Sequence, residues 1–162
     1  MENQLVIIDE IQLVIIDEIQ SKTEQVENVL DQLTIEWFEI RKQKITRKTT
    51  AGLTLELRLQ TKNEWQNGDR LFHENNLIAS VYIKPCLCIQ FSAKSKSDAA
   101  DFCYFVGNRH LPIYWKNDND NQLLLPYDGR MYEQLLTRYQ DKIQLVEAQL
   151  ISEFLLKNLV KN

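Results

Sequence analysis

Two histidines, His73 and His110, and three cysteines, Cys86, Cys88 and Cys103, are the side chains of this 162-residue chain best suited to hold a soft or borderline metal ion. Imidazole accepts nickel, zinc and copper alike, whereas thiolates favour softer ions. An odd cysteine count in a chain of this type argues against a disulfide framework and for reduced thiols. Cys86 and Cys88 stand two apart in an apolar run, so on a strand their thiols share one face while Leu87, Ile89 and Phe91 share the other. That pair reads either as a two-thiolate half-site or as two small hydrophobes on a buried strand. The acidic run Asp118, Asn119, Asp120, Asn121 has a calcium-loop look, but it lacks the glycine and glutamate that such loops carry at their sixth and twelfth positions, and it reads as a hairpin turn. The carboxylate pairs Asp9/Glu10 and Asp17/Glu18 are adjacent and splay to opposite faces of a strand, a poor acid/base arrangement. No glycine-rich phosphate loop or nucleophilic triad signature is present, and the chain reads as a non-enzyme.

The segment GNRHLP, Gly107 to Pro112, is the constellation with the most geometric content. Gly107 is expected to end a helix in the left-handed conformation, Asn108 tolerates a turn, and Pro112 forces Leu111 to be extended. His110, next to Arg109, is then presented from a fixed corner. The negative end of the preceding helix dipole points there and favours a cation. A lone histidine is nonetheless more often a surface or packed residue than a ligand, and one imidazole cannot hold a metal tightly. His73 reads as a surface or loop histidine.

The elements that position these residues follow from hydrophobic period and turn chemistry. An exact repeat, QLVIIDEI at 4–11 and 12–19, has no turn residue between its copies. Its even step keeps both copies in phase on a strand and out of phase on a helix, so strand is expected. It is either a long pairing edge or a local duplication whose second copy is the true first strand. Residues 35–59 favour β structure, with Leu53, Leu55, Leu57 and Leu59 alternating after a turn at Ala51 and Gly52. Gly68 supplies positive φ in the turn NGDRL. Beyond about Tyr82 the pattern becomes strand 85–91, helix 98–106, strands 111–115 and 123–125, helix 130–139 and strand 143–146. This is the βαββαβ order of ferredoxin-like domains.

Apolar residues at 44%, charged residues at 26% and a net charge of −4 describe an ordinary globular chain. The acidic balance argues against a nucleic-acid backbone as partner. The basic run Arg41, Lys42, Lys44, Arg47 and Lys48, just after Trp37 and Phe38, invites that partner and reads more simply as a solvated strand face. No apolar run approaches the roughly 18 residues of a membrane span, and Glu2 sits where a secretory signal carries positive charge, so a cytoplasmic protein without membrane contact is expected.

FCYFVGNRHLPIYW, Phe102 to Trp115, resembles the signature segment of the urease accessory metallochaperones, the UreE family. IEWFEIRKQKITRKTTAG at Ile35 to Gly52 and NGDRL at Asn67 to Leu71 are similar to that family's amino-terminal domain, and LLLPYD at Leu123 to Asp128 to its third ferredoxin-like strand. The similarity runs in order from about Leu13 to Val146. It implies an α+β protein: a β-rich domain at 1–82, including the duplicated 4–19, similar to a chaperone peptide-binding module, then a ferredoxin-like metal domain at 83–150. It also implies nickel binding by His110, with Gly107, Asn108, Arg109 and Pro112 as the surrounding motif.

In a two-fold homodimer a residue near the axis meets its own copy, so two His110 imidazoles can share one ion. Asp128 and Cys103 are further candidate ligands, Cys103 fitting more readily as helix core. Zinc or copper would also suit imidazole in vitro, and because the ring must be neutral, loading should weaken in acid. The resemblance names the urease accessory GTPase and apo-urease as partners. Some family members carry extra histidines and a histidine-rich tail, where this chain has Phe105, Tyr127 and Asp128. Residues 151–162 instead place Ile151, Leu155 and Leu159 at helical spacing, with Lys157 and Lys161 among the polar positions. That predicts a helix packed on its own domain or on a partner. The competing reading is a metal-independent peptide or protein-interaction chaperone module.

Overall fold

The computed structural model describes residues 13–22, 31–59, 62–116 and 119–156, a strand-rich α+β chain with two α-helices among the described residues. Two compact units divide it: Met1–Ile35 with Glu39–Tyr82, and Glu36–Phe38 with Ile83–Asn162.

The first unit holds two sheets. One has the order β1 (Leu13–Ile15), β5 (Thr54–Arg58), β4 (Lys44–Lys48), and the other β2 (Glu18–Gln20), β6 (Arg70–His73), β7 (Asn76–Ile83), β3 (Gln32–Ile35). The second copy of the repeat is therefore not one strand. It pairs parallel to β5 through Leu13–Ile15 and antiparallel to β6 through Glu18–Gln20. The switch falls at Ile16 and Asp17, whose amides donate to Glu56 and Phe72 carbonyls at 3.0 and 3.1 Å. Ile16 is buried there while Leu13 and Ile15 stay exposed. Sequence period cannot show that one extended run serves two sheets. The first copy, at 4–11, lies outside the described residues.

In β5 Leu55 and Leu57 are fully buried and Glu56 between them nearly so; Leu33, Ile35 and Trp65 are also buried, and the Trp65 indole N–H donates to the Lys42 carbonyl at 2.9 Å. Gly52 and Gly68 take φ of 91° and 87°, as their turns require. The β6–β7 hairpin closes on Glu74 and Asn75, both at positive φ (47° and 64°), the conformation that matches strand twist in a two-residue loop. The basic run is largely committed to carboxylates. Arg47 and Lys42 both reach the buried Glu39 at 2.8 Å, and Lys44 reaches Glu56 at 3.0 Å.

The second unit has one antiparallel sheet ordered β11 (Ile143–Ala148), β8 (Cys86–Ser92), β10 (Asn119–Pro126), β9 (Tyr114–Lys116), with α1 (Lys96–Gly107) after β8 and α2 (Gly129–Tyr139) after β10. Both helices begin on side-chain caps. Ser95 accepts from the Asp98 amide at 3.1 Å and Asp128 from the Met131 amide at 2.7 Å. Period decides the faces. Ile89, Phe91, Leu123, Leu125 and Ile143 meet Phe102, Val106, Met131, Leu135 and Tyr139 of the helices, and the Phe91 and Phe102 rings stack with centroids 4.1 Å apart. Cys88, Tyr114 and Leu124 form a smaller core with Leu150.

Two expectations change in this unit. The strand expected at 111–115 starts only at Tyr114, because Pro112 has no N–H to give a ladder. Residues 151–155 do not form the helix that their apolar spacing suggested, and helical structure begins at Leu156. Ile151 and Leu155 are extended, flanking a single 3-10 turn at Ser152–Phe154. Leu155 bridges to Tyr114, and the Leu156 amide donates to the Ile113 carbonyl at 2.9 Å. Leu150 and Leu155 thereby join the smaller core, which an extended course reaches and one helical face does not. Leu159 and both lysines, Lys157 and Lys161, lie outside the described residues.

Candidate metal centre

The end of α1 sets the geometry of His110. Asn108 accepts no left-handed turn, having φ −63°, and its amide reaches the Tyr104 carbonyl at 3.1 Å. The Arg109 and His110 amides donate to Val106 and Gly107 at 3.0 Å each, so the chain tightens into successive short turns. Gly107 stays helical, and the residue that turns left-handed is His110 itself, at φ 56°. This corrects the expectation that Gly107 would make the turn. The reversal falls one turn later because the helix runs on through Gly107 and Asn108 before Pro112 imposes extension. A histidine in this region costs free energy that a glycine would not. Residues 107–110 are exposed, so the imidazole is offered to solvent or to another chain.

Arg109 plays a part that the motif alone did not reveal. Its guanidinium folds back along α1, donating to the Phe105 carbonyl at 2.7 Å and lying 3.7 Å from the centroid of the Phe105 ring. A cation thus already answers the helix C-terminus, which reduces the pull of the helix dipole on a second one. The four-residue spacing of Phe105 and Arg109 was the available signal, since such pairs share a helix face. Arg138 of α2 lies over the same ring at 4.9 Å.

The other sequence-nominated residues are differently placed. Asp128 is engaged as the α2 cap. Cys103 packs against the helix–sheet core, where burial raises its thiol pKa. Pro112 is half-buried and leads into buried Ile113. His73 closes β6 with its Nδ1 2.7 Å from the Ile15 carbonyl. Cys86 and Cys88 do share a face, with sulfurs 3.7 Å apart, on the side of β8 away from the helices. Burial and the neighbouring Cys86 push Cys88 up to about 12. Among the described residues, no three His, Cys, Asp or Glu side chains gather closely enough to hold an ion within one chain. Also among them, no helix is long and apolar enough to cross a membrane.

Fold and site together define a strand-rich α+β protein that exposes an imidazole on a helix-to-strand corner. No protein-family model matches the chain. Individual proteins do. The urease accessory protein UreE of Acetivibrio thermocellus is 29% identical over 107 residues, covering 66% of this chain and 68% of its own length. The protein of the same name from Flavobacterium johnsoniae is 32% identical over 108 residues, 66% of this chain and 64% of the relative. That from Helicobacter pylori is 38% identical over 88 residues, 53% of this chain and 52% of the relative. The resemblance to the urease accessory UreE family is thereby shown.

Proposed function

We propose that this chain is a urease accessory nickel metallochaperone: a homodimer that carries nickel between two His110 side chains and delivers it during assembly of the urease active site. The observation that carries this reading is the exposed, left-handed His110 on the corner after α1, within a chain similar to proteins named for urease accessory work. One chain offers one imidazole there, and no three-ligand group exists among its described residues, so a second copy is the economical source of the next ligand. Tyr104, 74% exposed on the last turn of α1, leaves a large aromatic beside the corner for that copy to cover.

The chain's own part is to position and to release. His110 is held by backbone strain and short turns, not by a cage. Two imidazoles completed by water or carboxylate let an ion pass on, where a closed thiolate cage would retain it. Zinc or copper would compete at such a site in vitro, and nickel selectivity would rest on geometry and supply. Asp128 and Cys103 stand as further ligands in this proposal only if Asp128 leaves its cap or Cys103 its core. The partners are then the urease accessory GTPase and apo-urease, in the cytoplasm, and the role is non-catalytic.

The sheet order and helix placement of the second unit support a ferredoxin-like metal domain at 83–150. Residues 1–82 then serve as the peptide-binding-like module and 151–162 as its C-terminal extension. Nickel titration of the purified protein with mass recorded under native conditions tests the reading. One ion per dimer is expected, lost in His110→Ala. A wild-type protein that takes no nickel, or a variant that takes it equally well, removes the metallochaperone mechanism.

A further inference from the structure

Away from the His110 corner, the described residues bring two soft ligating side chains together in the cysteine pair on β8. Strand period puts both thiols on one face, and the fold brings the sulfurs to 3.7 Å. Two metal–sulfur bonds of about 2.3 Å in the near-linear arrangement of a two-coordinate ion need the sulfurs roughly 4.6 Å apart, a gap that side-chain rotation opens from the 3.7 Å seen here.

The surroundings suit a cation. The Cys86 and Ala148 carbonyl oxygens lie 3.4 and 3.8 Å from the Cys88 sulfur. The walls are apolar: Trp37, Tyr114, Leu124, Leu150 and Leu155 pack around the pair. Cys88 is buried while Cys86 is only half-buried, which leaves an entry from the Cys86 side.

We propose that Cys86 and Cys88 form a two-thiolate site for a thiophilic d10 cation, a cuprous ion in the first instance, distinct from the His110 site. No third His, Cys, Asp or Glu joins the pair among the described residues. Nickel and zinc, which ask for four or more ligands, are therefore poorly served, while a cuprous ion is content with two soft ones. Binding forms two copper–sulfur bonds and releases the two thiol protons to solvent, with no electron transferred.

The test is anaerobic titration of the full chain with cuprous ion buffered by a chromogenic chelator. His110→Ala, which lacks the imidazole site, should withdraw one cuprous ion per chain from the chelator, wild type at least as much, and adding Cys86→Ser or Cys88→Ser to His110→Ala should abolish uptake. Thermal melts show that the variants are folded, and half-buried Cys86→Ser serves if Cys88→Ser is not. Copper X-ray absorption should show two sulfur neighbours. Three results each overturn the proposal: wild type leaves the copper with the chelator, a folded His110→Ala variant that also carries Cys86→Ser binds as His110→Ala does, or His110→Ala alone abolishes uptake.

Discussion

Replacing His110 by glycine and by alanine separates the side chain from the backbone that presents it. At φ 56° an L-residue sits in the left-handed region, at a cost of about 1–2 kcal/mol. Glycine avoids that cost but gives back roughly 0.4–1 kcal/mol through its freer unfolded chain. The imidazole is exposed, so neither variant opens a cavity, and His110→Gly should be the more stable by about 0.5–1 kcal/mol. If the second unit melts on its own, that difference is worth roughly 2–8 °C. Scanning calorimetry and urea titration of both variants measure it, with nickel uptake recorded on the same samples. Both should lose nickel equally, because both lack the ligand whatever their stability. An alanine variant as stable as the glycine variant would refute the left-handed geometry, and nickel retained by either would refute the ligand assignment.

Three further outcomes follow from neighbouring contacts. Asp128→Ser keeps an N-cap acceptor for the Met131 amide and removes the carboxylate, whereas Asp128→Ala should cost about 1 kcal/mol of stability. Nickel uptake unchanged in the serine variant would confine Asp128 to capping. Tyr104→Glu places a charge on an exposed position, so the monomer should stay folded by circular dichroism while light scattering reports a weaker dimer, and an unchanged dimer would move the interface away from α1. The Asp101 carboxylate accepts from the Tyr139 hydroxyl at 2.7 Å and from Arg138 at 3.0 Å, and these bonds, Tyr139 first, hold its pKa below the ordinary 3.8. The ionised form is therefore favoured by folding. Its contribution is in place above that ordinary value and is lost as pH falls through the lower folded one. Asp101→Asn should flatten this part of the acid limb of stability, measured by urea midpoints from neutral to acid pH.

The parts of the fold that were legible are those where local chemistry and global packing agree. Strand period in Cys86–Ser92 and helix period in 96–107 and 129–139 set the same faces that the core uses, Gly52 lies in the turn expected there, and Gly68 takes the positive φ expected of it. The misses share a cause. Leu13–Gln20 reads as one strand because its period is unbroken, yet two different partners, β5 and β6, claim its halves. Ile151 and Leu155 are spaced for a helix, yet the Tyr114 edge and the Cys88 core pull them out straight. In each case a distant partner outweighs a local preference of a few tenths of a kcal/mol per residue.

His110 is the miss that bears on function. The obvious glycine stands three residues earlier, so a sequence under pressure only to end α1 cheaply would have turned there. Instead the helix continues, Arg109 folds back to satisfy it, and the strained conformation falls on the residue nominated as ligand. Strain at one exposed residue, maintained by the hydrogen bonds of the turns that lead into it, is one way a site is held ready without extra ligands. It leaves the residue exposed at the corner. Under the proposed function, a ligand so placed is complete only when a second surface arrives, since one imidazole binds too weakly to retain an ion alone. Loading and release would then both be governed by contact between proteins, which the nickel and glycine experiments examine from opposite sides.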